Sequence, residues 1–156
     1  MLFLSESAVF ADGRAIRGGV PVCFPQLANR GPLTARGFAR TSRFAVAARS
    51  AAAASLVLRD SPATSASAWP HAFELLIDVE IREGRFEQAM RVRNPSSDAA
   101  FEFTGALDAR APPWRLLRAA ASAASLELRR QFHCRGCASC KRRRRKKGGQ
   151  LLLMTR

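Results

Sequence analysis

Phe73-Glu74-Leu75-Leu76-Ile77-Asp78-Val79-Glu80-Ile81-Arg82 is the stretch whose reading decides the fold. Phe73, Leu75, Ile77, Val79 and Ile81 share one face, while Glu74, Asp78, Glu80 and Arg82 lie mostly on the other. Alternation with a period of two marks a half-buried β-strand, because successive side chains leave the backbone on opposite sides. Glu83-Gly84 predicts a tight turn, after which Phe86, Gln88, Met90 and Val92 alternate with Glu87, Ala89 and Arg91. Asn94 to Asp98 predicts a second turn, and Phe101, Phe103 and Gly105 then alternate with Glu102 and Thr104. Three antiparallel strands joined by short turns form a meander, so the sequence predicts an all-β sandwich.

Upstream of this meander, Arg43 to Arg49 alternates weakly, and an Ala-rich bridge leads into Leu56-Val57-Leu58-Arg59. Asp60 to Ser67 is rich in Ser, Pro, Thr and Ala and predicts a turn or loop. Before it, Ala15 to Arg40 is a Gly/Pro-rich stretch with an apolar centre, Val22-Cys23-Phe24, flanked by Pro21 and Pro25. Gly18-Gly19 permits unusual backbone angles and the prolines fix the chain, a combination that suits a loop held in one shape. Arg17 and Arg40 bracket this loop, and guanidinium groups grip phosphate oxygens bidentately. The plainer alternative is an ordinary connection with solvated arginines.

The 156 residues amount to one domain, and the 47% apolar content supports a globular core. The formal charge of +14 is unevenly spread. Residues 1–107 carry 12 Arg, no Lys and 10 acidic residues, a net of +2, whereas 108–156 carry 14 basic residues against Asp108 and Glu127, a net of +12. The basic character therefore belongs to the tail, and the body of the chain does not read as a nucleic-acid-binding domain. No stretch approaches the roughly 18 apolar residues of a membrane helix. The start MLFLSESAVFA lacks a basic n-region and is not read as a signal peptide. With Cys23 alone among the first 107 residues, a reducing cytoplasm is the expected compartment.

Several motifs in order carry a resemblance. AIRGGVPVCFPQ (15–26), GPL (31–33) and GFAR (37–40) follow LFLSESAVF (2–10). They precede LVLRDSPATSASAWPHAFELLIDVEI (56–81) and VRNPSSDAAFEFTGAL (92–107). Together these resemble the glucose-6-phosphate 1-epimerase (hexose-6-phosphate mutarotase) branch of the aldose 1-epimerase family, over Leu2 to Leu107. The resemblance implies a partial galactose-mutarotase-like β-sandwich that begins inside the fold, and interconversion of the α and β anomers of a hexose 6-phosphate. It implies Arg17 and Arg40 as substrate-binding residues, a hexose 6-phosphate as the small-molecule partner, and neither cofactor nor metal.

Anomer interconversion needs a base for the C1 hydroxyl and an acid for the ring oxygen. In the resembled family those roles fall to a His in a His-Thr-Tyr-Phe-like segment and to a Glu far towards the C-terminus. A second His precedes Gly-Phe-Ala-Arg and helps hold the sugar. This chain has Arg36 before Gly37-Phe38-Ala39-Arg40, and Asp108-Ala109-Arg110-Ala111 after Ala106-Leu107. A guanidinium cannot replace an imidazole in proton transfer, because it stays protonated. No catalytic residue is assigned, and impaired or absent activity in a truncated form is expected. His71, in Trp69-Pro70-His71, fits the family motif but reads as a strand-start residue bonded to backbone. Glu74, Asp78 and Glu80 read as the solvated face of their strand.

Beyond Leu107 the character changes, which divides the chain into residues 1–107 and a divergent 108–156. Leu117, Ala121, Ala124, Leu128 and Phe132 align on one side of a helix written over Trp114 to Phe132. A disordered basic tail is expected after it. His133, Cys134, Cys137 and Cys140 offer soft ligands, but no second Cys/His pair accompanies them and no metal is assigned. The run Lys141 to Lys147 reads as a polyanion-binding or nuclear-import patch if it is exposed, the one route to nucleic acid or a nuclear location. The abrupt break at Leu107 also fits a reading-frame change or retained intron. Two rival readings stand beside the epimerase: a sugar-phosphate-binding remnant without turnover, and a basic-tailed interaction protein.

Overall fold

The computed structural model describes residues 4–82 and 85–108, and the course of the backbone at 117–121 and 125–133. In chain order the strands are β1 (Val22–Cys23), β2 (Ala45–Arg49), β3 (Ala53–Arg59), β4 (Glu74–Arg82), β5 (Arg85–Arg93), β6 (Phe101–Leu107), β7 (Leu117–Ala121) and β8 (Ser125–His133). A four-residue helix α1 (Pro62–Ser65) and a 3-10 turn at Ala39–Thr41 complete them. Two antiparallel sheets result, ordered β2-β3-β4-β5-β8 and β1-β6-β7.

The decisive stretch is β4, at the centre of the larger sheet. It pairs along its length with β3 (Leu56 opposite Ile77, Leu58 opposite Leu75) and with β5 (Ile77 opposite Met90, Leu75 opposite Val92). Opposite residues share a face, so the register gathers the apolar rows of three strands on one side. Phe73, Leu75, Ile77, Met90 and Val92 are buried there, against Phe101, Phe103 and Leu107 of β6. Gly105 lets the sheets close together: a Cβ at that position would stand 3.0 Å from the Met90 Cε. On the outer face Glu74, Asp78 and Glu80 are not simply solvated. Asp78 accepts from Ser55 and Arg91, Glu74 pairs with Arg59 and Arg93, and Glu80 pairs with Arg82. Asp78 and Glu74 thus tie the strand to β3 and β5 by cross-strand ion pairs and hydrogen bonds, while Glu80 and Arg82 pair within β4.

Three expectations are corrected by this architecture. The third strand of the meander, β6, does not lie beside β5 but crosses to the smaller sheet, and β8 takes the place beside β5. The connection 94–100 is too long for a hairpin turn and is anchored by the buried Asn94, whose side chain donates to the Ala99 carbonyl and accepts from the Ser96 amide. The helix expected over 114–132 is absent from the described residues of that span, which form β7 and β8. Helix propensity in the Ala-rich run yields to the hydrogen-bonding edges of β6 and β5, which take these segments as strands. Within the predicted loop 60–67, Ser61-Pro62 starts α1. Ser61 accepts from the Thr64 amide while Thr64 accepts from the Ser61 amide, a reciprocal cap with proline in the first turn. The Glu83-Gly84 turn, Cys134 to Cys140 and the basic run Lys141 to Lys147 lie outside the described residues. No helix among the described residues is long and apolar enough to cross a membrane.

Candidate functional site

The Gly/Pro-rich stretch passes over one end of the smaller sheet. Val22 and Cys23 pair with Leu107 and Ala106, and the Asp108 amide donates to the Pro21 carbonyl at 2.8 Å, so the loop and the end of β6 are joined. Phe24 then plunges fully into the core. Its ring lies 5.2 to 6.2 Å from those of Phe73, Phe103, Trp69 and Phe38. Edge-on and tilted aromatic contacts of this kind add directional preference to burial. The Phe24–Pro25 peptide is cis.

Beyond Pro25 the loop is held from within. The Gln26 side chain, 3% exposed, donates to the carbonyls of Ala28 and Leu33 and accepts from the Leu33 amide. The Thr104 hydroxyl accepts from the Leu27 amide, and the Thr104 amide donates to the Pro25 carbonyl. The chain reverses at Thr34 to Gly37, where Arg36 and Gly37 both have positive φ, +73° and +69°. The Arg36 amide donates to the Ala28 carbonyl, and the Ala39 amide to that of Phe24. Arg36 and Arg40 therefore stand on either side of Phe38, whose ring docks on Phe24 and Phe73.

A charged cluster forms at this point. The Arg36 guanidinium lies 3.3 Å from Asp108, whose side chain is 9% exposed. The Arg40 Nε is buried without a hydrogen-bond partner. Cys23 is fully buried beside them, and its thiol is pushed up to about 11, first by burial and then by Asp108, with Arg36 and Arg40 pulling the other way. Two guanidinium groups and one carboxylate thus surround an inert thiol. An enclosed N–H without an acceptor is costly, and here it belongs to a side chain that is only half-buried as a whole. The arrangement is suited to an oxyanion.

Arg17, the other predicted rim residue, is exposed on the segment that bridges to Leu4. Its carbonyl accepts from the Ser5 amide, and its side chain has no described ion pair or hydrogen bond. The ring of His71, just before β4, packs 4.7 Å from Trp69 and 5.5 Å from Phe101. Sequence reasoning treated Arg36 and Asp108 separately, as two departures from the resembled pattern, and missed that they form a pair. No local signal marks the pair, because its members lie far apart in the chain and only the fold brings them together. Among the described residues no three His, Cys, Asp or Glu side chains group as metal ligands.

Residues 5–106 match the sequence model of the family Aldose 1-epimerase. A protein of Cenchrus ciliaris named "Putative glucose-6-phosphate 1-epimerase" is 34% identical over 115 residues, covering 67% of this chain and 35% of that one. A protein of Escherichia coli with the same name is 38% identical over 86 residues, covering 52% and 29%. Among solved structures, one titled "putative mutarotase" from Salmonella typhimurium shares 31% identity with a TM-score of 0.58, over 68% of this chain and 36% of that one. The Slr1438 protein of Synechocystis, 24% identical with a TM-score of 0.60, shares the fold over 67% of this chain and 40% of its own. The chain spans about a third of the length of the curated relatives that it matches. With a family match over most of the sandwich, this chain belongs to the aldose 1-epimerase family.

Proposed function

We propose that this chain binds a hexose 6-phosphate at the loop rim as a glucose-6-phosphate 1-epimerase-like protein, with Arg40, and Arg17 at the outer edge, holding the phosphate. The observation that carries the reading is the buried Arg40 Nε, which has no acceptor. A phosphate at the partly exposed part of this side chain would supply the charge-assisted bonds that the fold itself does not, and such bonds to guanidinium are among the stronger ones. The names of the relatives agree with this substrate class.

The same reading assigns slow or absent turnover to this chain. Beside the cluster stand Arg36, which never releases its proton, and Asp108, already engaged by Arg36. His71 is packed between Trp69 and Phe101. The described contacts of His71 are to these rings and not to the charged cluster, so no imidazole is assigned to exchange protons with a C1 hydroxyl. We place the protein in a reducing cytoplasm, where a free Cys23 is at home.

Titration calorimetry with glucose 6-phosphate, together with NMR exchange between its anomers, tests the proposal. Binding is expected that Arg40→Met abolishes, without faster anomer exchange than in buffer. Accelerated exchange would refute the assignment of no acid–base pair. Absence of binding would overturn the site.

A further inference from the structure

Asp108 is the one carboxylate of the cluster, and its position is fixed twice. Its amide is tied to the Pro21 carbonyl, and its Oδ2 is tied to Arg36 at 3.3 Å. The second oxygen, Oδ1, has no described partner, and the side chain keeps 9% of its surface exposed. Arg36 is itself committed, because the turn holds its backbone at φ +73° and the Ala28 carbonyl holds its amide. The ion pair is thus carried by two rigid segments rather than by two free side chains.

This geometry changes what an anion meets. Arg36 and Arg40 alone would give two positive charges to a phosphate dianion. With Asp108 in place one charge is already answered, and a second negative group arriving beside it is repelled. A neutral hydroxyl meets the opposite situation, since Oδ1 accepts hydrogen bonds and donates none while it is ionised. We infer that Asp108 is a specificity-determining residue of this site: it selects a sugar phosphate, whose hydroxyls donate to it, over a bare phosphate ion. The inference rests on the proposed anion site at Arg40 and goes beyond it by giving a role to a residue that the family pattern does not supply.

The test measures inorganic phosphate and glucose 6-phosphate in parallel, by calorimetry on the full chain. Removing one negative charge near the anion is expected to tighten inorganic phosphate by roughly tenfold in Asp108→Asn. Glucose 6-phosphate is expected to gain less or to weaken, so that the preference for it falls by about tenfold or more. Arg36→Gln is expected to do the reverse for phosphate and weaken it. Asp108→Glu, which keeps the charge, retains weak phosphate binding and supports the charge argument even if the asparagine variant folds poorly. A merely structural ion pair predicts that Asp108→Asn and Arg36→Gln weaken both ligands together, and that result would overturn the inference while leaving the Arg40 site intact. A wild-type chain that binds neither ligand would overturn both.

Discussion

Gly37→Ala should be among the most damaging single-methyl changes in this protein. Gly37 has φ +69°, a conformation that costs an L-residue about 1–2 kcal/mol. A Cβ there would lie 2.2 Å from the Phe24 carbonyl oxygen, 2.5 Å from its carbon and 2.8 Å from the Pro25 nitrogen. All three are backbone atoms, so no side-chain rotation relieves the clash. Either the loop lifts away or Phe24 moves within its ring of aromatic neighbours. Lifting breaks the Ala39 amide bond to the Phe24 carbonyl, 3.1 Å long, at a cost of about 1 kcal/mol. Displacing a fully buried phenylalanine adds about 1–3 kcal/mol. Added to the conformational cost, one route or the other brings the total to about 2–5 kcal/mol, a large share of the roughly 5–15 kcal/mol that holds a domain together. Gly19→Ala is the control: φ is +65° there, but nothing lies within 4 Å of the added Cβ, so only the conformational cost of about 1–2 kcal/mol applies. Urea unfolding of both variants, monitored by tryptophan fluorescence, measures the difference. A midpoint drop for Gly37→Ala equal to that for Gly19→Ala would refute the claim that loop and core are in hard contact.

Two further outcomes follow from the same region. Gln26→Ala removes three hydrogen bonds and is expected to cost about 2–4 kcal/mol. Faster hydrogen exchange at the Leu33 amide, which loses its acceptor, checks it. Cys23 has its thiol raised from 9.0 to about 11, so the native state keeps a proton that the unfolded chain releases. Stability is therefore at its full value below pH 9, falls as pH rises between about 9 and 11, and levels off above. The loss is about 2–3 kcal/mol at 1.36 kcal/mol per unit, and a flatter pH profile for Cys23→Ala is the check.

What the sequence disclosed follows the physics of each segment. β4 was legible because it is central: both neighbours are strands and one face is core, which enforces alternation through Leu75 and Ile77, whereas Val79 is half-buried and Ile81, in the same row, is 61% exposed at the strand's end. β6 was legible as a strand, yet not in its sheet, because pairing is a property of partners and not of the strand's own pattern. β8 was hidden in a different way. Leu126, Leu128 and Phe132 do alternate and stand opposite Val92, Met90 and Phe86, but Arg130 opposite Gln88 interrupts the row. The surrounding alanines and arginines score well as helix, so the longer period was preferred. Arg40 enters the candidate site through its motif. The Arg36–Asp108 pair was not legible, because 72 residues of chain separate its members and only the fold brings them together.

The cluster and the core are built from the same residues, and this bears on how variants should be interpreted. Phe24 anchors the loop, Gly37 lies against its carbonyl, and Phe38 carries Arg36 and Arg40 on either side. Changes at Gly37, Gln26 or Phe24 will thus lower stability and ligand affinity together, and such a joint loss says nothing about which groups meet the ligand. Asp108 and Arg36 differ because their expected effects on phosphate have opposite signs, and no common loss of structure yields opposite signs. Arg40 occupies the middle ground. Its Nε is buried in the scaffold without a partner, so removing its charge should relieve the fold while it empties the site. An Arg40→Met chain that unfolds no more readily than wild type, yet has lost its affinity for the anion, would mark the guanidinium as kept for binding rather than for the fold.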